Sequence, residues 1–273
     1  MIDPIVDADW LREHADEVVL ADVRWYLDGR DGARAFDEAH LPGAVFVDLE
    51  RWLAGPASPD GGRHPLPDPT VFADGMAHCG IDDDAVVVAY DDQGGVIAAR
   101  LVWMLRATRH AAALLDGGLA AWTGALASGP STPRPATFTA RAWPVDRLAT
   151  IDEASGGQLV VIDARDPVRY RGEQEPIDPR AGHIPGAHNV PCREHLDDVG
   201  RLRPLAEIRD RFRAVGVREG ADVISYCGSG VTACHNLLVL EHAGLGRGRL
   251  FPGSWSQYSA DPSRRVATGT DAG

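Results

Sequence analysis

The sequence repeats itself, and that constrains the fold more than any composition figure. Val19-Leu20-Ala21-Asp22-Val23-Arg24, followed by His40-Leu41-Pro42-Gly43-Ala44, is matched by Val161-Ile162-Asp163-Ala164-Arg165 and His183-Ile184-Pro185-Gly186-Ala187. The Asp-to-His spacing is 18 residues in the first copy and 20 in the second. Further on, Val86-Val87-Val88-Ala89-Tyr90 is matched by Val223-Ile224-Ser225-Tyr226, and each tyrosine lies 27 residues before a glycine, Gly117 or Gly253. Each glycine precedes an aromatic five residues on, Trp122 or Tyr258. Landmarks in the same order at similar spacing identify a tandem duplication.

Within each copy, short β-branched runs alternate with helical patterns, which predicts an α/β fold around a mostly parallel sheet. Val86 to Tyr90 and Asp222 to Tyr226 are apolar enough to be buried central strands. Helical periodicity follows each, over Ala98 to Leu105 and Thr232 to His242, and Gly244 stands where a helix C-terminus favours glycine. Gly129-Pro130-Ser131-Thr132-Pro133-Arg134-Pro135 is a proline-rich linker. The expected domains are therefore residues 1–128 and 145–273, joined by 129–144. The last residues, Asp261 to Gly273, are small and polar and are expected to be loosely held.

Composition removes several function classes. At 273 residues, 44% hydrophobic and 25% charged, the chain is an ordinary globular one. Its net charge of −13 suits neither nucleic acid nor an anionic membrane surface. Every one of its 27 basic residues is Arg, so lysine Schiff-base chemistry and a Walker-type phosphate loop are excluded. Cys79, Cys192, Cys227 and Cys234 are too few for a disulfide scaffold, and none form a Cys-x-x-Cys pair. No apolar run is long enough for a transmembrane helix, and the acidic start lacks a signal-peptide pattern. A cytoplasmic protein without metal or organic cofactor is expected.

The copies differ chemically at one position. Aligned on the tyrosines, the first reads Asp91-Asp92-Gln93-Gly94-Gly95 and the second Cys227-Gly228-Ser229-Gly230-Val231-Thr232. A loop of small residues between a buried strand and a helix can turn its backbone N–H groups inward as an anion nest. A cysteine at its head sits near those donors and the positive end of the helix dipole, both of which favour thiolate over thiol. Asp91 cannot act as a sulfur nucleophile, so the first copy is expected to be scaffold and the second active. Cys79, Cys192 and Cys234 are read as core residues, Cys234 being two helical turns beyond Cys227 if the intervening residues are helical. Asp22/Arg24 and Asp163/Arg165 recur in both copies and are read as structural ion pairs, and His40 and His183 as turn architecture.

The two-copy layout, the His-x-Pro-Gly-Ala motif and the Cys-Gly-Ser-Gly-Val-Thr loop resemble the tandem rhodanese-domain sulfurtransferases over nearly the whole chain. The resemblance implies two rhodanese-like domains, the first inactive, and a persulfide carried by Cys227 in a cradle of Gly228, Gly230, Val231 and Thr232. The loop is similar to that of the 3-mercaptopyruvate branch, whereas the thiosulfate branch has Cys-Arg-Lys-Gly-Val. Mercaptopyruvate is a carboxylate suited to an Arg fork away from the sulfur, and thiosulfate a compact dianion suited to cations inside the loop. By the same resemblance Arg169 binds substrate, Arg180 is a second candidate at shifted spacing, and Ser229, His64 and Glu50 fill a Ser–His–Asp relay, with Glu where the family has Asp. The implied partners are a small-molecule sulfur donor and a thiol acceptor such as thioredoxin, with cyanide serving in an assay. The alternatives are a thiosulfate sulfurtransferase, a Cys-loop phosphatase, and a non-catalytic sulfur-binding module. A phosphatase needs Cys-x5-Arg, and the sixth residue after Cys227 is Ala233.

Overall fold

β-Branched runs become parallel strands in both halves of the computed structural model, which describes residues 2–270. The first unit contains β1 (Ile5–Val6), β2 (Val18–Asp22), β3 (Val45–Phe46), β4 (Val86–Tyr90) and β5 (Ala112–Leu115), in the sheet order β1-β5-β4-β2-β3. The second contains β6 (Val160–Asp163), β7 (His188–Asn189), β8 (Val223–Tyr226) and β9 (Arg249–Leu250), in the order β7-β6-β8-β9. All pairings between these strands are parallel. A bridge from Leu148 to Leu250 puts Leu148 where β1 lies in the first unit. Helices flank each sheet, as required where a parallel sheet must be covered on both faces. Among the described residues, no helix is long and apolar enough to cross a membrane.

The repeated motifs form one device, made twice. At the end of β2, the Arg24 guanidinium grips Asp22 at 2.8 Å and donates to the Ala39 carbonyl at 2.6 Å. At the end of β6, Arg165 grips Asp163 at 2.6 Å and donates to the Gly182 carbonyl at 2.7 Å. Each clip ties a strand end to the residue just before the His-x-Pro-Gly-Ala turn. The turn histidines then bond backbone carbonyls through Nδ1, His40 to Phe36 and His183 to Tyr170, both at 2.8 Å. Their rings stack on those same residues at 3.9 and 3.7 Å. The tyrosines that end the central strands complete the device, since Tyr90 accepts the Leu41 N–H and Tyr226 the Ile184 N–H. All four clip residues are buried, where losing one partner costs about 3–5 kcal/mol.

The division of the chain differs from the expected contiguous one. Unit 1 comprises Met1–Gly55, Leu66–Trp143 and Leu196–Leu202, and unit 2 comprises Pro56–Pro65, Pro144–His195 and Arg203–Gly273. Pro56–Pro65 joins the second unit because its turn docks on the segment after β9. Ser58 and Gly62 pair through their backbones, Arg63 N–H donates to Ser256 Oγ at 3.0 Å, and Gln257 donates to the Asp60 carbonyl at 2.6 Å. Gly62 is required there: its φ is +81°, and a Cβ would lie 2.5 Å from the Gly253 carbonyl oxygen. The C-terminal segment is also better held than its composition suggests. Ala267 pairs with His183 through both backbone groups, and Gly269 N–H reaches the Arg171 carbonyl at 3.0 Å. Residues 271–273 lie outside the described residues.

Two buried histidines behind the Cys227 loop make the second unit acid-sensitive. Burial pushes His195 down to about 4 and His235 down to about 3. The unfolded chain takes up these protons near pH 6.5, and the folded one only well below that, so stability falls as pH drops through this window. Urea melts should show the midpoint declining from pH 6.5 towards 4, and His235→Leu should flatten that slope by about 1.4 kcal/mol per pH unit.

Candidate active site

Cys227 follows β8 directly and heads the loop that ends where the helix Ala233–His242 begins. The residue is 2% exposed, and its Sγ accepts the Gly230 N–H at 3.1 Å. Gly230 can present that N–H because its φ is +80°; a Cβ there would lie 2.4 Å from the Pro252 carbonyl oxygen. The outer side of the loop is tied down by the segment after β9. Trp255 N–H donates to the Cys227 carbonyl at 3.0 Å and Ser256 N–H to that of Gly228 at 2.9 Å. Ser254 Oγ accepts the Cys227 N–H at 3.1 Å while donating to the Phe251 carbonyl at 2.9 Å. These two bonds hold Ser254 at a φ of +51°, where the first copy has Gly118 at +55°.

The first copy displays the cradle at work on an anion of its own. The Asp91 carboxylate accepts four backbone N–H groups, from Gln93 and Gly95 at 2.7 Å, Ile97 at 2.8 Å and Ala98 at 2.9 Å. Burial pushes this carboxyl above its usual range, against the pull of the four donors. The loop geometry thus gathers inward-facing donors, and in the second copy a sulfur stands at their focus.

Side chains from three segments surround the sulfur loop within the second unit. Ser229 Oγ and His64 Nδ1 are 2.8 Å apart. Arg169, on the short helix Pro167–Tyr170, is gripped by Glu175 at 2.5 Å and reaches Asp178 at 3.3 Å. Glu175 also contacts Arg165 at 3.3 Å and accepts the N–H groups of Ile177 and Asp178. Arg63 pairs with the other oxygen of Asp178. Asp178 is buried, which raises its pKa against the opposing pull of Arg63. The nearest atoms to a Cβ built on Gly228 are Arg63 Nη2 at 3.1 Å and Arg169 Nη1 at 3.4 Å. Val231 is buried beneath the loop, and Thr232 stands at the N-terminus of the helix that follows.

Two expected residues are placed elsewhere. Arg180 donates to the carbonyls of Tyr258, Ser259, Asp261 and Arg264, closing the end of the helix Ser254–Ala260, so its fork is fully engaged in structure. Glu50 accepts Trp25 Nε1 at 3.1 Å within the first unit. Cys234 lies in the first turn of its helix and donates to the Gly230 carbonyl at 3.4 Å. The two-turn reckoning therefore does not apply, because residues 227–232 are loop. Burial holds Cys79 and Cys192 up at about 12, as befits inert core thiols. Arg63 and Ser254 are the residues that sequence reasoning missed. Arg63 adjoins His64 in a Gly-Gly-Arg-His-Pro run, and that adjacency is the only signal it carries.

A cysteine heading an N–H-lined loop at the end of a parallel sheet, with a carboxylate in its place in the other copy, defines the rhodanese class. The family described as Rhodanese-like domain matches residues 7–125 and 148–261, and the chain belongs to it. It is a sulfurtransferase. The chain is 45% identical over 267 residues to a Pseudomonas aeruginosa protein named "Probable 3-mercaptopyruvate sulfurtransferase", covering 93% of each. It is 41% identical to the Mycobacterium tuberculosis "Putative thiosulfate sulfurtransferase SseB", covering 93% of this chain and 92% of that one. The crystal structure of Escherichia coli SseA, titled as a 3-mercaptopyruvate sulfotransferase, matches 93% of this chain and all of its own at 34% identity and a TM-score of 0.81.

If the cradle demands an anion, emptying it should destabilise the fold. Asp91→Ala leaves four buried N–H groups without acceptors and is expected to lower the unfolding free energy by about 3 kcal/mol or more. Asp91→Asn retains one acceptor oxygen and should lose less. Urea denaturation of both variants at pH 7 measures the difference.

Proposed function

We propose that this sulfurtransferase takes sulfur from 3-mercaptopyruvate and passes it, through a persulfide on Cys227, to a thiol acceptor such as thioredoxin. Cys227 thiolate attacks the donor sulfur, and the donor C–S bond breaks with its electron pair going to pyruvate enolate. The proton of the donor thiol ends on the enolate carbon, so pyruvate leaves and Cys227 holds a persulfide anion. The loop N–H groups stabilise that anion as those around Asp91 stabilise a carboxylate. An acceptor thiolate then attacks the outer sulfur, and Cys227 leaves as thiolate. The buried thiols suit a reducing compartment, and the cytoplasm is where we place the reaction.

The observation that carries the choice of donor is the 2.8 Å contact between Ser229 Oγ and His64 Nδ1 beside the sulfur loop. Mercaptopyruvate requires a proton to travel from sulfur to carbon, and a hydroxyl–imidazole pair is suited to carry it. Thiosulfate requires no such transfer, because sulfite leaves as a stable anion. A thiosulfate reading draws support from a different feature, the two guanidiniums at Gly228, which place positive charge beside a loop that has none of its own.

Intact mass after brief exposure to each donor separates the two readings. Mercaptopyruvate should add one sulfur far faster than thiosulfate, and Cys227→Ser should take up none from either. Faster sulfuration by thiosulfate would reverse the donor assignment. The relay has its own signature: Ser229→Ala and His64→Ala should slow turnover of mercaptopyruvate by about 10²–10⁴-fold and leave thiosulfate sulfuration within about threefold of wild type. Equal losses on both donors would remove proton transfer as the reason for the pair.

A further inference from the structure

We propose that Arg63 is a substrate-binding residue, forming with Arg169 a two-guanidinium clamp for the anionic head of the sulfur donor. This rests on the sulfurtransferase reading of Cys227 and names the residue that holds the donor's carboxylate. Arg63 lies on the Pro56–Pro65 segment, which packs with the second unit. Its backbone N–H is fixed by Ser256 Oγ at 3.0 Å, and its Nη1 pairs with Asp178. Arg169 is fixed in parallel fashion, with Nε and Nη2 on Glu175 and Nη2 also on Asp178. One nitrogen of each fork is left over. Among the described residues, neither Arg63 Nη2 nor Arg169 Nη1 has a protein acceptor, and these two atoms converge on Gly228, the residue after the nucleophile.

Two guanidinium N–H groups aimed at one place, each held from behind by a buried carboxylate, make a receptor for a planar or tetrahedral oxyanion. Gly228 keeps the place open, since any side chain would begin 3.1 Å from Arg63 and 3.4 Å from Arg169. Arg180 cannot share this duty, because four backbone carbonyls already take its donors. The clamp binds ground state and transition state alike, since the donor's charged head stays where it is while the C–S bond breaks. It therefore acts mainly on KM.

The test uses the full chain with a fixed thiol acceptor, measuring kcat and KM for 3-mercaptopyruvate and thiosulfate, and inhibition by pyruvate. Arg63→Gln should raise KM for mercaptopyruvate and the pyruvate inhibition constant together, by about 10–100-fold, with kcat within about threefold of wild type. Arg63→Lys keeps a cation on Asp178 but loses the fork, and should raise KM by about 3–10-fold. If Arg63→Gln fails to fold, the lysine variant decides the matter. An unchanged KM, or a fall in kcat alone, would make Arg63 a strut for Asp178 and overturn the clamp while the sulfur chemistry stands. A rise in KM for thiosulfate, in an enzyme that takes little sulfur from mercaptopyruvate, would keep the clamp and replace its occupant by a dianion. If wild type takes sulfur from neither donor, the clamp falls together with the function it serves.

Discussion

A parallel strand that ends in a tight loop before a helix leaves backbone N–H groups with no carbonyl to meet, and the fold must supply an anion for them. In this chain that need is met twice. Asp91 meets it with a carboxylate bearing four N–H bonds, and Cys227 with a sulfur that accepts the N–H of Gly230. The first solution is permanent, because the carboxylate is part of the chain and has no chemistry to perform. In the second, the group at the focus is a nucleophile whose charge can move one sulfur outward and stay within reach of the same donors. The scaffold that stabilises an inert copy is thus the one that stabilises an intermediate in the other.

The features present in both copies all serve to hold that loop at the right place. The Asp–Arg clip joins the end of β2 or β6 to the turn histidine, and the terminal tyrosine of the central strand catches the next residue of the turn. Both clips are inaccessible, and their partners are internal carbonyls, so they have nothing to offer a ligand. The parts that could touch a substrate, Ser229, His64, Arg63 and Arg169, have no chemical counterpart in the first copy's motifs. Duplication separates the two kinds of residue cleanly: what recurs is architecture, and what does not recur surrounds the sulfur.

Much of this was legible in the sequence because it is local. The strands Val86–Tyr90 and Val223–Tyr226, the loop between strand and helix, and the contrast of Asp91 with Cys227 all depend on neighbours in the chain. The parts that were not legible depend on distant ones. Arg63 is fixed through Ser256, 193 residues away, on a segment that leaves the first half of the chain to pack in the second unit. A contiguous domain boundary hides that placement. Arg180 failed for the opposite reason: motif spacing suggested substrate, but the helix end at Ala260 exposes carbonyls that capture a nearby guanidinium. The C-terminal residues misled as well, since their small polar side chains conceal backbone pairing with His183.

The carboxylates behind the two arginines explain how a site for an anion can contain so much negative charge. Asp163, Glu175 and Asp178 balance Arg63, Arg165 and Arg169, so the cluster is neutral as a whole and its burial carries no uncompensated charge. What the cluster retains is direction. Each acid engages one side of a guanidinium fork, removes its freedom to rotate, and leaves the other side pointing past Gly228. A flexible arginine would lose side-chain entropy each time it closed on a ligand, whereas these forks are fixed during folding. A neutral but oriented cluster therefore selects an oxyanion by geometry and does not hold every passing anion by net charge, which suits a chain whose overall charge is −13.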